Sequence, residues 1–139
     1  MPGADRTRPV GAGTGAAMRQ RLAIHGTFPG TNQMLVAAKS HWAVYAREKK
    51  RLTGKVKFLA QLARLQTVDA PVTVRFWWYE ANARRDVDNI SSGQKYVLDG
   101  LVAAGVLHDD RRTCVKGIEH HFPEPDPDCP RVEIELDTT

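Results

Sequence analysis

The chain has 139 residues, of which 42% are hydrophobic and 26% are charged, and this composition excludes an intrinsically disordered protein and indicates a globular one. The length accommodates one compact domain with a hydrophobic core and excludes a second domain of comparable size. The formal net charge of +4 favours a polyanionic partner, and no apolar run approaches the roughly 20 residues that cross a bilayer.

Basic residues are concentrated in the middle of the chain. Between residues 39 and 67 the only acidic residue is Glu48, and the basic residues there are Lys39, Arg47, Lys49, Lys50, Arg51, Lys55, Lys57 and Arg64. The C-terminal part after Ile118 is acidic instead. A one-sided basic segment indicates a phosphate-binding surface, although for any single member a solubilising helix face is an equally good interpretation.

The cysteine content indicates a reducing compartment. Cys114 and Cys129 form no CxxC pair, and no secretory apolar segment lies near the N-terminus, so we expect two reduced thiols in a cytoplasmic protein. The spacing of these two cysteines and of His120 and His121 matches no common structural-zinc pattern. We interpret all four as ordinary strand residues.

The N-terminal third is predicted to contain an arm, a strand and two helical stretches. Residues 1–20 are rich in Gly, Ala and Arg and indicate a flexible arm, so the folded domain is expected at residues 21–139. A strand is expected at residues 21–28, with one apolar side and with Pro29–Gly30 after it. The residues on that side are Leu22, Ile24 and Phe28.

The basic segment is predicted to be helical. Thr31 or Asn32 is expected to cap a helix whose apolar stripe repeats at three- and four-residue steps. The members of this stripe are Leu35, Ala38, Trp42 and Tyr45. Thr53–Gly54 is expected to break or kink the helix. A second stretch then follows with an inward face of Phe58, Leu59, Leu62 and Leu65.

The C-terminal half is predicted to add a central strand, a helix and two further strands. Alternation and β-branched content predict a strand at residues 72–79. Asp88 or Asn89 is expected to cap a helix that Gly105 ends. The inward face of that helix is Ile90, Val97, Leu98 and Leu101. With strands at residues 113–122 and 131–136, the order β-α-α-β-α-β-β predicts a single α+β domain with a small mixed sheet flanked by helices.

Three acidic positions form the candidate site. Asp86 and Asp88 lie between a strand and a helix, and they point the same way if this segment stays extended. Two neighbouring carboxylates repel each other unless a cation such as Mg²⁺ or Mn²⁺ neutralises them, and Asp109–Asp110 can supply a third. The alternative is that Asp88 only caps a helix and Asp109–Asp110 only forms a solvated turn.

An ordered set of motifs resembles the RusA family of Holliday junction resolvases. The matching stretches are Arg84-Arg85-Asp86-Val87-Asp88-Asn89, Lys95, Leu98-Asp99-Gly100-Leu101, Ala104-Gly105-Val106 and Asp109-Asp110. The resemblance runs from about Val72 to Leu136 and, more weakly, includes the turn at residues 28–32. Between Asp88 and Lys95 the chain is about one helical turn longer than in an enterobacterial member of the family. Residues seven apart can still share a helix face.

The resemblance implies a role for each matching residue. Asp86, Asp88 and Asp110 correspond to the family's metal-site carboxylates, with Asp109 as an adjacent, less certain acid, and Lys95 corresponds to its functional lysine. Arg85 matches the arginine before the first acid. The implied DNA-binding residues are Arg84, Arg85, Lys49, Lys50, Arg51, Lys55 and Lys57, where one of the two arginines can instead neutralise the acids.

The resemblance also implies the activity and the partners. It implies a homodimeric, Mg²⁺-dependent endodeoxyribonuclease, with Mn²⁺ as a substitute, that resolves four-way DNA in bacteria or their phages. Three alternatives stay open: a less selective nuclease for branched or flap DNA, a DNA-binding protein that does not cleave, and a divalent-metal-binding protein without a nucleic-acid partner.

Among the tryptophans, Trp77 is the candidate for base stacking, and the pattern places Trp42 and Trp78 in the core.

Overall fold

A computed structural model describes residues 17–139, and most of the expected arm at residues 1–20 lies outside the described residues. The elements follow the order β1 Arg19–His25, α1 Thr31–Ser40, α2 Trp42–Leu62, β2 Val72–Tyr79, α3 Val87–Ser91, α4 Gln94–Ala103, β3 Val115–His121 and β4 Arg131–Asp137. None of the helices among these residues is both long and apolar enough to cross a lipid bilayer.

The strands form one four-stranded mixed sheet in the order β1-β4-β2-β3. β4 pairs antiparallel with β1 and with β2, whereas β2 and β3 are parallel. Parallel neighbours require a crossover connection, which α3 and α4 provide here. β2 therefore has a partner on each side, as its sequence pattern predicts, and the chain is a small single-domain α+β fold.

The two faces of the sheet differ in chemistry. Along β2 every second residue is buried, and the buried side chains include Val74, Phe76 and Trp78. On the opposite face Arg75 Nη1 donates to Asp137 Oδ2 at 2.6 Å and to Glu135 Oε1 at 3.0 Å. Hydrogen bonds from Thr139, and next from Arg75, hold the pKa of the Asp137 carboxyl well below its usual range. The helices pack against the apolar face, and ion pairs cover the other.

The N-terminal boundaries differ from the prediction. β1 begins at Arg19 and ends at His25, because Gly26 has φ +98° and turns the chain out of the sheet. Phe28 is buried in the core, but it reaches the core from the loop after the strand. Gly30, not Thr31 or Asn32, is the N-cap of α1, and its N–H donates to Gln33 Oε1 at 3.0 Å.

The helix break was predicted at the wrong position. α2 runs without interruption through Thr53–Gly54, and the break lies at His41, which separates α1 from α2 with φ −147° and ψ 81°. The apolar stripe predicted from Leu35 to Tyr45 crosses this break, so its residues do not lie on one helix face. Leu35 is accordingly 54% exposed and Trp42 is 67% exposed.

The inward face of α2 also differs from the prediction. Phe58 and Leu62 are exposed, whereas Leu59 and Leu65 are partly buried against the core as expected. The fully buried residues of the helix are Leu52, Val56 and Ala60. The reason is the packing of α2 on α4, where a Cβ added to Gly100 would lie 2.5 Å from Val56 Cβ. By contrast, the predicted apolar face of the α4 region is confirmed, since its residues Ile90, Val97, Leu98 and Leu101 are all buried. Gly105, with φ +77°, follows that helix as expected.

We predict that Gly100→Ala destabilises the protein by about 1–3 kcal/mol, because the new methyl group overlaps Val56 and the carbonyl oxygen of Thr53. Urea denaturation measures the effect. Gly54→Ala is the matched control in α2, where an added Cβ meets no atom within 4 Å. That variant gains about 0.5–1 kcal/mol from helix propensity, and equal unfolding midpoints for the two variants would contradict the close helix contact.

Candidate metal and DNA-binding site

The first two candidate acids lie where the chain passes from β2 to α3. Asp86 is the N-cap residue, with extended φ −69° and ψ 151°, and Asp88 lies in the first helical turn. The segment is therefore not extended through Asp88, and neither Asp88 nor Asn89 is the cap. Both carboxylates are exposed, and the N-terminal position of a short helix favours their negative charge.

Arg85 anchors this segment to the rest of the fold. Its Nε and Nη2 donate to Glu80 Oε1 and Oε2 at 2.8 and 3.0 Å, and its Nη1 donates to the carbonyl oxygen of Phe28 at 2.8 Å. The guanidinium thus connects the loop after β2 with the loop after β1. Arg84 is exposed, and no ion pair joins it to another residue of the described chain. Of the two arginines, Arg84 is the one whose guanidinium is accessible to a phosphate.

Lys95 connects α4 with the third candidate acid. Its Nζ lies 3.1 Å from Asp99 Oδ1 and 3.2 Å from Asp110 Oδ2. Hydrogen bonds that Lys95 donates to Asp99 and then to Asp110 raise the pKa of Lys95, and the hydrogen bond from Lys95 lowers the pKa of Asp110. The lysine is therefore charged at neutral pH and partly neutralises Asp110.

Lys95 does not share a helix with Asp88, contrary to the expectation. Ser92 and Gly93 separate α3 from α4. A Cβ added to Gly93 would lie 3.0 Å from Phe28 Cβ and 3.1 Å from a ring carbon of Trp78. The chain turns at this glycine because it packs directly against two aromatic side chains.

Asp109 is occupied by its own turn. Its Oδ1 accepts hydrogen bonds from the backbone N–H groups of Asp110 at 2.6 Å and Arg111 at 3.2 Å. Its Oδ2 lies 2.8 Å from Arg111 Nε. This arrangement shapes the loop that presents Asp110, and it corresponds to the turn-forming alternative for Asp109.

The structure brings some of the candidate residues together and leaves others apart. Lys95 and Asp110 are in direct contact, whereas within residues 17–139 no group of three or more His, Cys, Asp or Glu side chains is arranged to hold a metal ion. Asp86 and Asp88 follow β2, and Asp110 follows α4. The three-carboxylate site therefore stays a prediction.

The residues of α2 that the resemblance implies as DNA-binding fall into three groups. Arg51 Nε lies 2.7 Å from Glu48 Oε1, and Lys55 Nζ donates to the carbonyl oxygen of His25 at 2.5 Å. Lys49 is half-buried and borders a cavity. Lys50 and Lys57 are exposed, and because they lie about two turns apart they point to the same side of the helix. Those two lysines form the accessible part of the predicted phosphate surface.

The tryptophans are arranged differently from the prediction. Trp77, the expected stacking candidate, is already packed: the Arg21 guanidinium lies 4.8 Å from its ring centroid, and the His121 ring stacks on it at 5.3 Å. Trp78 is buried as expected, but Trp42 is exposed and does not belong to the core. Trp42 is therefore the tryptophan with a free ring face.

A hydrogen-bonded network that the sequence did not indicate positions the start of α4. Trp78 Nε1 donates to His120 Nδ1 at 2.9 Å, and His120 Nε2 lies 3.0 Å from Gln94 Oε1. Since the indole N–H can only donate, Nδ1 accepts, and Nε2 carries the hydrogen that binds Gln94. The network fixes the residue next to Lys95. It joins positions far apart in the chain, so no local pattern reveals it.

No protein-family model matches this chain, and a search of curated proteins finds no match either. The likeness to the RusA family therefore rests on the motif residues quoted above.

We predict that His120 makes stability depend on pH. Burial, and next the neighbouring His121, lower its pKa, so the unfolded chain binds this proton more readily than the folded one. The wild-type free energy of unfolding therefore decreases as the pH falls through about 6.5 and levels off below the folded-state pKa. His120→Gln cannot bind the proton, so its free energy of unfolding lacks this pH-dependent part. Urea denaturation at a series of pH values measures both proteins.

The stability difference between wild type and His120→Gln is expected to be constant above about pH 7.5 and to shrink toward about pH 5. His41→Gln, at an exposed position before α2, controls for the loss of one histidine. A difference that does not change with pH would contradict the neutral, hydrogen-bonded state of His120.

Proposed function

We propose that this protein is a metal-dependent endodeoxyribonuclease that cuts branched DNA, of the type that resolves Holliday junctions. The main support is the contact of Lys95 Nζ with Asp110 Oδ2 at 3.2 Å. These residues are 15 positions apart, and the family resemblance assigns both to one site. A lysine paired with an exposed carboxylate is chemistry suited to a phosphodiester substrate.

The candidate acids have the donor chemistry that Mg²⁺ or Mn²⁺ requires. Asp86 makes no capping hydrogen bond with its side chain, and the carboxylates of Asp86, Asp88 and Asp110 are all exposed. Hard carboxylate oxygens of this kind fit a hard divalent cation. When bound, such a cation polarises the phosphate and lowers the pKa of a bound water.

The other residues of the site supply charge and position. Lys95 presents an ammonium group that Asp99 and Asp110 keep charged, and it would face the negative charge that develops on the phosphate. Arg85 holds the acidic segment in place through Glu80 and the Phe28 carbonyl. In this proposal Arg85 is a positioning residue, and Arg84 contacts a neighbouring phosphate.

The DNA arms would lie along the exposed basic side of α2. Lys50 and Lys57 carry no internal ion pair among the described residues, whereas Arg51 is paired with Glu48 and Lys55 with a backbone carbonyl. A four-way junction is two-fold symmetric and needs two matched cuts, so we propose that the active form is a homodimer. The compartment that fits this role is the cytoplasm of a bacterium that encodes the protein itself or carries it on a phage.

The proposed activity predicts that Asp88→Asn abolishes cleavage of a synthetic four-way junction. Loss of one metal-site carboxylate is expected to lower the Mg²⁺-dependent rate by roughly 100-fold or more, since the metal contributes several kcal/mol to transition-state stabilisation. Junction binding in EDTA is expected to stay the same or tighten, because a negative charge near the DNA is removed. Gel-based cleavage and binding assays measure both.

Asp128→Asn is the matched control, since it makes the same chemical change at an exposed acid in the loop between β3 and β4. Paired, metal-dependent nicks in the junction but not in a matched linear duplex identify a resolvase. Equal cutting of the duplex identifies a less selective nuclease. Binding without cleavage by wild type in either metal would overturn the enzymatic proposal and favour a non-cleaving DNA-binding protein.

We further predict that Lys50→Ala and Lys57→Ala each weaken duplex binding and reduce the slope of log affinity against log salt concentration by about 1, because each removes one phosphate contact. Fluorescence anisotropy over a salt series measures the slope. Arg51→Ala removes the same charge from the same helix, but its guanidinium is engaged by Glu48. If all three variants changed the slope equally, the assignment of the accessible lysines would be wrong.

A further inference from the structure

An open cavity of about 450 Å³ lies between α1, the first half of α2 and the start of α4. Its walls include the aromatic residues Trp42, Tyr45 and Tyr96, and two lysines, Lys49 and Lys95, border it. The volume falls within the range of small-molecule and nucleotide sites, roughly 300–1,000 Å³. Lys95 belongs both to this cavity and to the contact with Asp110, so the cavity opens directly beside the candidate metal site.

The outer part of the aromatic wall is accessible to solvent. Trp42 is 67% exposed, and its ring lies 5.1 Å from that of Tyr45, tilted by 39°. Leu35, on the same wall, is 54% exposed. A large exposed apolar surface that continues into a cavity is typical of a binding site, because water around it is readily displaced by an apolar ligand face.

We propose that this cavity binds one unpaired nucleotide of a DNA strand, with the base against Trp42 and Tyr45 and the flanking phosphates at Lys49 and Lys95. Aromatic rings beside cations are how proteins hold single-stranded nucleic acid without reading its sequence. The proposal rests on the nuclease function proposed above, and it adds the form of the substrate: a strand with an unpaired base next to the cleaved bond.

Charge selects DNA over a second copy of the chain as the occupant. The chain carries a net charge of +4, and of the two lysines at the cavity only Lys95 is already paired with acids, so a second copy of this basic chain would bury the Lys49 ammonium group uncompensated. A phosphate next to a bound base neutralises it. Lys49 has no ion pair among the described residues and is therefore free to make this contact.

The test compares Trp42→Ala with Trp42→Phe and with Phe58→Ala. Phe58 is an equally exposed aromatic residue of α2, at 61%, that does not border the cavity. The measurement is the affinity for a fluorescent oligothymidylate and for a duplex of equal length, in EDTA at fixed salt. Loss of one stacking contact is expected to weaken oligothymidylate binding roughly 5- to 150-fold in Trp42→Ala. Trp42→Phe keeps a ring and is expected to bind within a few-fold of wild type.

Selective loss of oligothymidylate affinity in Trp42→Ala, with duplex affinity unchanged, supports the cavity as a nucleotide site. Equal affinity of Trp42→Ala and Phe58→Ala overturns it. Sedimentation of the same variants tests whether a second copy of the chain covers the cavity. If Trp42→Ala converts a dimer into a monomer, a second copy is the occupant and the proposal is overturned.

The cleavage assay separates this inference from the nuclease proposal. If no variant and no metal yields cleavage while oligothymidylate binding still depends on Trp42, the nuclease function fails and the nucleotide site stands. If wild type cleaves the junction and Trp42→Ala cleaves it equally well with unchanged oligothymidylate affinity, the nucleotide site fails and the nuclease function stands.

Discussion

The close approach of α2 to α4 determines where the basic residues of α2 and Lys95 lie. Gly100 packs on Val56 so tightly that no side chain fits between the helices. This contact turns the apolar residues Leu52, Val56 and Ala60 inward and so turns Lys50 and Lys57 outward. It also sets α4, with Lys95 at its start, next to the first half of α2. The outward direction of the basic side chains and the position of α4 beside α2 therefore depend on this helix crossing.

The segment that carries the acids is held at both of its ends. Before it, Arg85 joins Glu80 to the carbonyl of Phe28. After it, Gly93 packs on Phe28 and Trp78, and His120 holds Gln94. Phe28 thus takes part in both anchors and Trp78 in the second, and the short helix between the anchors exposes Asp86 and Asp88. Rigid support under an exposed acidic segment is the arrangement that precise binding of a cation and a phosphate requires.

The sequence predicts correctly the elements that pack against the same kind of surface along their whole length. β2 lies inside the sheet with one buried face, so strict alternation identifies it, and the face formed by Ile90, Val97 and Leu101 packs on a continuous core. The helices of the basic segment were predicted less well, because His41 breaks the helix without a Gly or Pro signal. The inward face of α2 depends on Gly100, some 44 residues further along the chain than Val56, and no local period contains that information.

The candidate site was predicted from the sequence only in its residue types. Spacing alone could not show that Asp88 is helical, that Arg85 is held by Glu80, or that Asp109 is used by its own turn, since each depends on a tertiary or backbone partner. Lys95 touches Asp110 and borders the cavity, and its role stays a prediction. In the proposed function, a phosphate that approaches this ammonium from the cavity side would compete with Asp110 for it. Substrate binding at the cavity and the charge balance at Asp110 would then be coupled through one side chain.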